Sequence, residues 1–116
     1  KQLFKEAMKL SKRATSLSPK DFALAQDYAV NFFAAEPLGV KANWDEAIKA
    51  WARARALTED ADQIYYTWLN EGRAAIKANK AGHAAMCLEE AIRMNPSSAA
   101  ARQLLEEVKK TQSSGR

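Results

Sequence analysis

His83 and Cys87 carry the most reactive side chains of this chain, and each is the only residue of its type. They stand four positions apart, so on a helix they would lie one turn apart on the same face. A thiol beside an imidazole is the arrangement of a cysteine nucleophile and its base. Catalysis also needs further groups, and no Ser, second Cys or carboxylate stands at a motif spacing from the pair. We therefore predict that His83 is an ordinary surface residue and that the chain is not an enzyme.

Metal and cofactor motifs are equally sparse. One His and one Cys cannot complete a zinc site of Cys and His ligands, and the G-x-G-x-x-G, G-x-x-x-x-G-K-[ST] and H-E-x-x-H patterns do not occur. Adjacent acids at 45–46, 89–90 and 106–107 fall in predicted helices, where neighbouring side chains diverge by about 100°. They are predicted to be solvated rather than paired for acid–base work. The sequence thus predicts no catalytic residue, no metal site and no cofactor.

Length and charge narrow the class of protein. The 116 residues are 47% hydrophobic and 28% charged, which suits one folded domain. No uninterrupted apolar run of about 18 residues occurs, so no membrane contact is expected, and the cytoplasm is the default location. The net charge of +4 divides into +5 for residues 1–20, −3 for 21–96 and +2 for 97–116. Because the cations collect at the two ends rather than with aromatics on one surface, nucleic-acid binding is not predicted.

The elements that would position any site are predicted to be helices. Alanine is abundant, while only four Gly and three Pro occur, and no run alternates as a strand would. Ser18 before Pro19 and Asn43 before two acids are helix-start signals, and Ala81-Gly82 is a predicted break. Six helices follow, covering about residues 1–17, 19–36, 44–57, 61–79, the segment after Ala81-Gly82 to Met94, and 98–112.

Three of these helices repeat one pattern. An aromatic or small residue is followed by Ala three positions later and by a second Ala seven positions after that; the three sets are Phe4/Ala7/Ala14, Trp44/Ala47/Ala54 and Ala81/Ala84/Ala91. Two small residues seven apart let a neighbouring helix approach at both turns. The preceding helices agree as well, since Gly72 corresponds to Ala29. Gly72 is therefore predicted to be a close helix contact, which would explain a glycine in the middle of a helix.

These residues resemble the tetratricopeptide repeat (TPR) family, whose repeat of about 34 residues has the pattern W-x₂-L-G-x₂-Y, A-x₃-F, A and P. The best match runs from Trp68 through Gly72 to Pro96, and Asn43-Trp-Asp-Glu-Ala47 is typical of a second repeat helix. The resemblance implies an all-α, right-handed α-solenoid of antiparallel helix pairs. It predicts one domain over 1–112, made of a second repeat helix (1–17), a repeat with an insertion at 37–42 (19–60), a repeat (61–96) and a capping helix (98–112), before a disordered tail at 113–116.

In this family the first helix of each pair lines a concave groove that binds a peptide or a partner helix. By register, the predicted partner-binding groove comprises Gln26, Val30, Phe33, Tyr66, Leu69, Arg73, Ile76 and Lys77, with Gln103, Glu107 and Lys110 at the corresponding positions of the last helix. The alternative is that Leu69 and Ile76 belong to the core and only Arg73 and Lys77 are solvated. Gln26 and Val30 stand where the family's carboxylate clamp has Lys and Asn, which argues against that activity; Arg73 and Lys77 would still favour an acidic or C-terminal ligand.

The predicted function is a non-catalytic protein–protein interaction module. Two alternatives stay open: a self-assembly segment, in which residues 1–17 stack on another copy as a homo-oligomer, and a regulatory docking arm of a larger enzyme. The repeat register places Lys1 at the start of a second repeat helix. We therefore expect either that the chain comes from a longer array or that a partner supplies the missing helix.

Overall fold

The computed structural model describes residues 2–114, with side chains to residue 112. Its helices are α1 (Gln2–Leu17), α2 (Phe22–Asn31), α3 (Trp44–Arg55), α4 (Ala61–Lys77), α5 (Ala81–Met94) and α6 (Ala99–Ser114), and a 3₁₀ segment, Phe32–Ala35, extends α2. No strand occurs among residues 2–114. The prediction of an all-α chain with six helices is confirmed. None of the described helices combines the length and the apolar character needed to cross a membrane.

The starts of α2 and α3 are fixed by side-chain caps. Asn43 caps α3 as predicted, because its Oδ1 accepts a hydrogen bond from the Glu46 backbone N–H at 3.1 Å. The predicted start of α2 at Ser18-Pro19 is displaced: Asp21 is the cap, accepting from the Leu24 N–H at 3.1 Å. Ser18 cannot begin a new helix because its N–H bonds the Ala14 carbonyl, closing α1, while its own carbonyl accepts from Asp21.

The break between α4 and α5 lies slightly earlier than Ala81-Gly82. Residues 78–80 form it, and Asn79 has a left-handed backbone with φ 64°, which Asn tolerates better than most residues. Gly82 instead lies in the first turn of α5. At the carboxyl end, α6 includes residues 113–114 of the predicted disordered tail, whereas residues 115–116 lie outside the described residues.

Each helix packs mainly against its neighbours in sequence, with further contacts of α4 with α6 and of α1 with the 3₁₀ segment. The fold is thin, with extents of 41 × 34 × 19 Å. The small positions of the second and third sets, Ala47/Ala54 and Ala84/Ala91, are fully buried. In the first set, Ala7 is exposed and Ala14 half-buried. The repeated pattern therefore marks helix contacts in α3 and α5, and α1 differs from them.

Gly72 brings α4 and α5 together, as predicted. A Cβ atom at this position would lie 3.0 Å from two side-chain carbons of Leu88 and 3.4 Å from the Cys87 Cβ. Leu88 and Cys87 are both fully buried, so they have little room to yield. The glycine thus sets how close the two helices lie, and its neighbour Glu71 is carried to the face of α5 by the same contact.

Candidate functional site

Helix α4 presents two different polar surfaces. Its outer face carries the predicted groove residues Tyr66, Arg73 and Lys77, all exposed, while its inner face buries Thr67, Asn70 and Glu71. The outer face opens into two shallow depressions that we call the groove depressions. The inner face forms a cluster with α3 and α5 that we call the Glu71 cluster: Glu71, Arg55, His83 and Cys87.

The first groove depression joins α2 to α4. It has a volume of about 370 Å³ and is lined by Gln26, Asp62, Gln63 and Tyr66. The Tyr66 ring packs edge-on against the buried Trp51, with ring centroids 5.7 Å apart, yet 40% of the residue stays exposed. A core aromatic therefore holds an exposed tyrosine in a fixed position beside two amide side chains.

The second groove depression joins α4 to α6. Leu69, Arg73, Gln103, Leu104 and Glu107 line it, together with Ala100, around a volume of about 250 Å³. The Arg73 guanidinium lies 5.2 Å from the Phe33 ring centroid, and its Nη1 donates to Asn70 Oδ1 at 3.4 Å. Arg73 is thus positioned by an aromatic face and an amide while remaining exposed.

The other predicted groove residues are placed less uniformly. Lys77 forms an ion pair with Glu36, so a neighbouring carboxylate partly offsets its charge. Leu69 and Ile76 are half-buried and pack on the core, and Leu69 also lines the second groove depression. Phe33 is half-buried between Trp44 and Trp51. Val30 is 36% exposed on α2 and lines neither depression.

The Glu71 cluster surrounds a carboxylate that is only 3% exposed. Arg55 Nη2 donates to Glu71 Oε1 at 2.7 Å, and the guanidinium carbon of Arg55 also lies 3.4 Å from the centroid of the Trp68 ring. On the other oxygen, Glu71 Oε2 lies 2.7 Å from His83 Nε2 and accepts from the Cys87 thiol at 3.4 Å. Both carboxylate oxygens therefore have partners, which the burial of a charge requires.

The electrostatics of the cluster differ from those of a reactive cysteine. Burial raises the pKa of the Cys87 thiol, and the negative charge of Glu71 and the hydrogen bond to it raise that pKa further. A reactive cysteine needs the opposite, a pKa lowered toward neutrality. Since the thiol is also fully buried, a cysteine nucleophile is not what this geometry favours.

His83 differs from its predicted place. It lies on α5 one turn before Cys87, but its side chain is 35% exposed and bonded to Glu71 rather than fully solvated. Glu71 and Arg55, the two residues that turn a His/Cys pair into a cluster, were not predicted from the sequence. A signal was present: Glu71 precedes the close-contact Gly72, at the point where α4 comes nearest to α5.

No protein-family model matches this chain, and no curated protein matches its sequence. The resemblance to TPR repeats therefore stays a prediction from the residues quoted above.

Proposed function

We propose that this chain is a non-catalytic interaction module that binds an extended peptide along the outer face of α4. The observation that carries the proposal is the pairing of two exposed, fixed side chains, Tyr66 and Arg73, with a groove depression beside each of them. Tyr and Arg are among the residue types enriched at the anchor positions of protein interfaces.

The packing of the helices supports a TPR-like solenoid as the scaffold. Contacts run mainly between successive helices, which is how stacked repeats bury their apolar faces. The buried small residues of α3 and α5 occupy equivalent register positions. On this proposal α2 and α4 are the first helices of two repeats, and α6 caps the stack.

The chemistry of the groove depressions suits a peptide backbone. Gln26 and Gln63 in the first and Gln103 in the second offer amide groups that both donate and accept hydrogen bonds. Arg73 is the cation best placed for a ligand carboxylate, because Lys77 is engaged by Glu36. Since Asp62 and Glu107 also line the depressions, we propose a peptide with one carboxylate at Arg73 rather than a uniformly acidic one.

Peptide pools of equal length test this proposal. Pools ending in a free carboxylate and pools ending in an amide are titrated against the chain by fluorescence anisotropy. The free carboxylate is expected to bind at least about tenfold more tightly, the order of a charge-assisted hydrogen bond. Arg73→Gln should remove the preference, and Tyr66→Ala with Arg73→Gln should remove binding while circular dichroism stays helical.

Arg53→Gln is the matched control, because Arg53 is exposed on α3 and lines a different cavity, next to Lys12 and Lys49. It should leave both titrations unchanged. Equal binding of the two pools, or retention of the preference in the Arg73→Gln variant, would remove the groove assignment.

A second candidate function, self-assembly, is supported by α1. Leu3, Leu10 and Leu17 are 78%, 68% and 74% exposed, and their seven-residue spacing aligns them on one helix face with Ala7 and Ala14 between them. In an antiparallel pair with a second copy, centred near Leu10, Glu6 of one copy would lie beside Arg13 of the other. That pairing of charges favours a symmetric dimer through α1.

Sedimentation velocity over a concentration series tests the dimer. Leu10→Glu should shift the mass to monomer. Leu38→Glu should not, because Leu38 is 49% exposed in the segment between the 3₁₀ helix and α3. A wild-type chain that stays monomeric at every concentration would exclude assembly through α1.

A further inference from the structure

Three donor atoms of different chemical type meet between α4 and α5. A carboxylate oxygen of Glu71, a ring nitrogen of His83 and the Cys87 sulfur all lie within 4.8 Å of one another. Two helices supply them: His83 and Cys87 stand one turn apart on α5, and Gly72 lets α4 approach closely enough to bring Glu71 between them. Nitrogen, sulfur and carboxylate oxygen are together the ligand set of zinc in proteins.

We propose that Glu71, His83 and Cys87 form a binding site for a divalent zinc-like ion. This proposal goes beyond the peptide-binding function and does not depend on it. It departs from the prediction of no metal site, because that prediction counted only His and Cys as ligands, and the fold adds a buried carboxylate as the third.

The distances from Glu71 to the other two ligands are close to those of a tetrahedral site, and His83 and Cys87 lie within 4.8 Å of each other. In a tetrahedral site with metal–O and metal–N bonds of about 2.0–2.1 Å and a metal–S bond of about 2.3 Å, ligand atoms lie roughly 3.3–3.6 Å apart. Glu71 Oε2 already lies 3.4 Å from Cys87 Sγ. Its distance of 2.7 Å to His83 Nε2 must open by about 0.6 Å for those bond lengths. The His83 side chain is 35% exposed, so it has room to turn.

The surroundings also suit a metal centre. Arg55 holds the other oxygen of Glu71, Oε1, at 2.7 Å, which fixes the carboxylate from outside as residues around metal ligands commonly do. The three protein ligands leave a fourth position, which the partial exposure of His83 opens to water. Binding releases the Cys87 thiol proton to solvent, and Nε2 of His83 binds the ion through its lone pair.

Cobalt is the probe for this site, because a Co²⁺–thiolate bond absorbs in the near ultraviolet and Zn²⁺ displaces the ion. Cys87 is the only cysteine, so a thiolate band in the untagged, reduced chain reports this site alone. We expect the band to saturate at one equivalent and to disappear on addition of Zn²⁺. Zn²⁺ should also raise the melting temperature, whereas Mg²⁺, which prefers oxygen ligands, should not.

His83→Gln is the decisive variant, because a glutamine amide can still donate a hydrogen bond to Glu71 but does not offer the imidazole nitrogen that zinc prefers. It should weaken Co²⁺ binding at least about tenfold, because even the loss of a residue that only hydrogen-bonds to a metal ligand typically weakens metal binding about tenfold or more. Cys87→Ser should abolish the band. Glu89→Gln, an exposed acid on the same helix, is the matched control and should bind as the wild type does.

Two results would overturn the proposal. One is the absence of a thiolate band at any Co²⁺ concentration that leaves the chain folded. The other is Zn²⁺ binding, measured by calorimetry, that is unchanged in both His83→Gln and Cys87→Ser, since the ion would then be held by other groups.

Discussion

Replacing Arg55 with Met should destabilise the chain strongly. The substitution keeps much of the aliphatic length but removes the guanidinium, which lies 2.7 Å from the Glu71 carboxylate and over the Trp68 ring. Glu71 is 3% exposed and would be left buried without its cationic partner. Removing one partner of a buried ion pair costs about 3–5 kcal/mol.

The expected loss lies at the lower end of that range. Arg55 is 18% exposed, so water can reach part of the space that it leaves. His83 and Cys87 still face Glu71 Oε2 and satisfy that oxygen. We therefore expect a loss of about 3 kcal/mol in the free energy of unfolding. This is a large share of the roughly 5–15 kcal/mol typical of a domain and should lower the melting temperature by about 10 °C or more.

Urea unfolding followed by far-ultraviolet circular dichroism measures the loss, in the presence of a chelator so that metal ions do not contribute. Arg53→Met is the matched control, because Arg53 is exposed two positions away on α3, and it should change the stability by less than about 0.5 kcal/mol. If Arg55→Met costs under about 1 kcal/mol, as exposed ion pairs do, the argument from burial is wrong.

A double-mutant cycle isolates the contribution of the Arg55–Glu71 charge interaction to the stability. Glu71→Gln removes the negative charge and keeps the side-chain shape, so Arg55→Met should cost less in that background than in the wild type. We expect a coupling of about 1–3 kcal/mol between Arg55 and Glu71. Additive losses would mean that the effect of Arg55 comes from its packing on Trp68 instead.

Three further predictions concern the helices and the thiol. Gly72→Ala should lower the unfolding free energy by about 1 kcal/mol, because the 3.0 Å contact with Leu88 outweighs the helix propensity gained. Gly82→Ala should raise it by about 0.4–1 kcal/mol, because the added Cβ meets nothing within 4 Å. If urea unfolding shows that both substitutions change the stability in the same direction, the close-contact assignment is wrong. Asn43→Ala should cost about 1 kcal/mol, since it removes the cap of α3, and Asn43→Asp should restore most of it; an unchanged denaturation midpoint in the alanine variant would exclude the cap. The raised pKa of Cys87 means that, above about pH 8.5, the folded chain keeps the thiol proton while the unfolded chain loses it. The contribution of Cys87 to the unfolding free energy is therefore complete below about pH 8.5 and is lost as the pH rises above it. The stability difference between wild type and Cys87→Ala, measured in chelator, should therefore shrink with rising pH by up to about 1.4 kcal/mol per unit, and a constant difference would refute it.

The pattern along the chain was enough to predict the helices, because helix formation is largely local. Alanine content, the Asn43 cap and the spacing of Ala47/Ala54 and Ala84/Ala91 each depend on residues within two turns of one another. Where a predicted helix boundary was wrong, a neighbouring residue forms the boundary instead. Asp21 is the cap instead of Ser18 because Ser18 still closes α1, and the break predicted at Ala81-Gly82 lies at Asn79, which adopts the left-handed conformation.

Partnerships between helices could not be predicted in the same way. Gly72 could be recognised as a contact position from its register. The register did not predict that this contact places Glu71 beside His83 and Cys87, twelve and sixteen residues further along. Nor could the pairing of Lys77 with Glu36, across 41 residues, be read from either position. Side-chain identity and spacing thus determined where the helices form and which small residues are helix contacts. Only the packing of α3, α4 and α5 decided which charges meet, because that depends on how closely and at what rotation the helices approach.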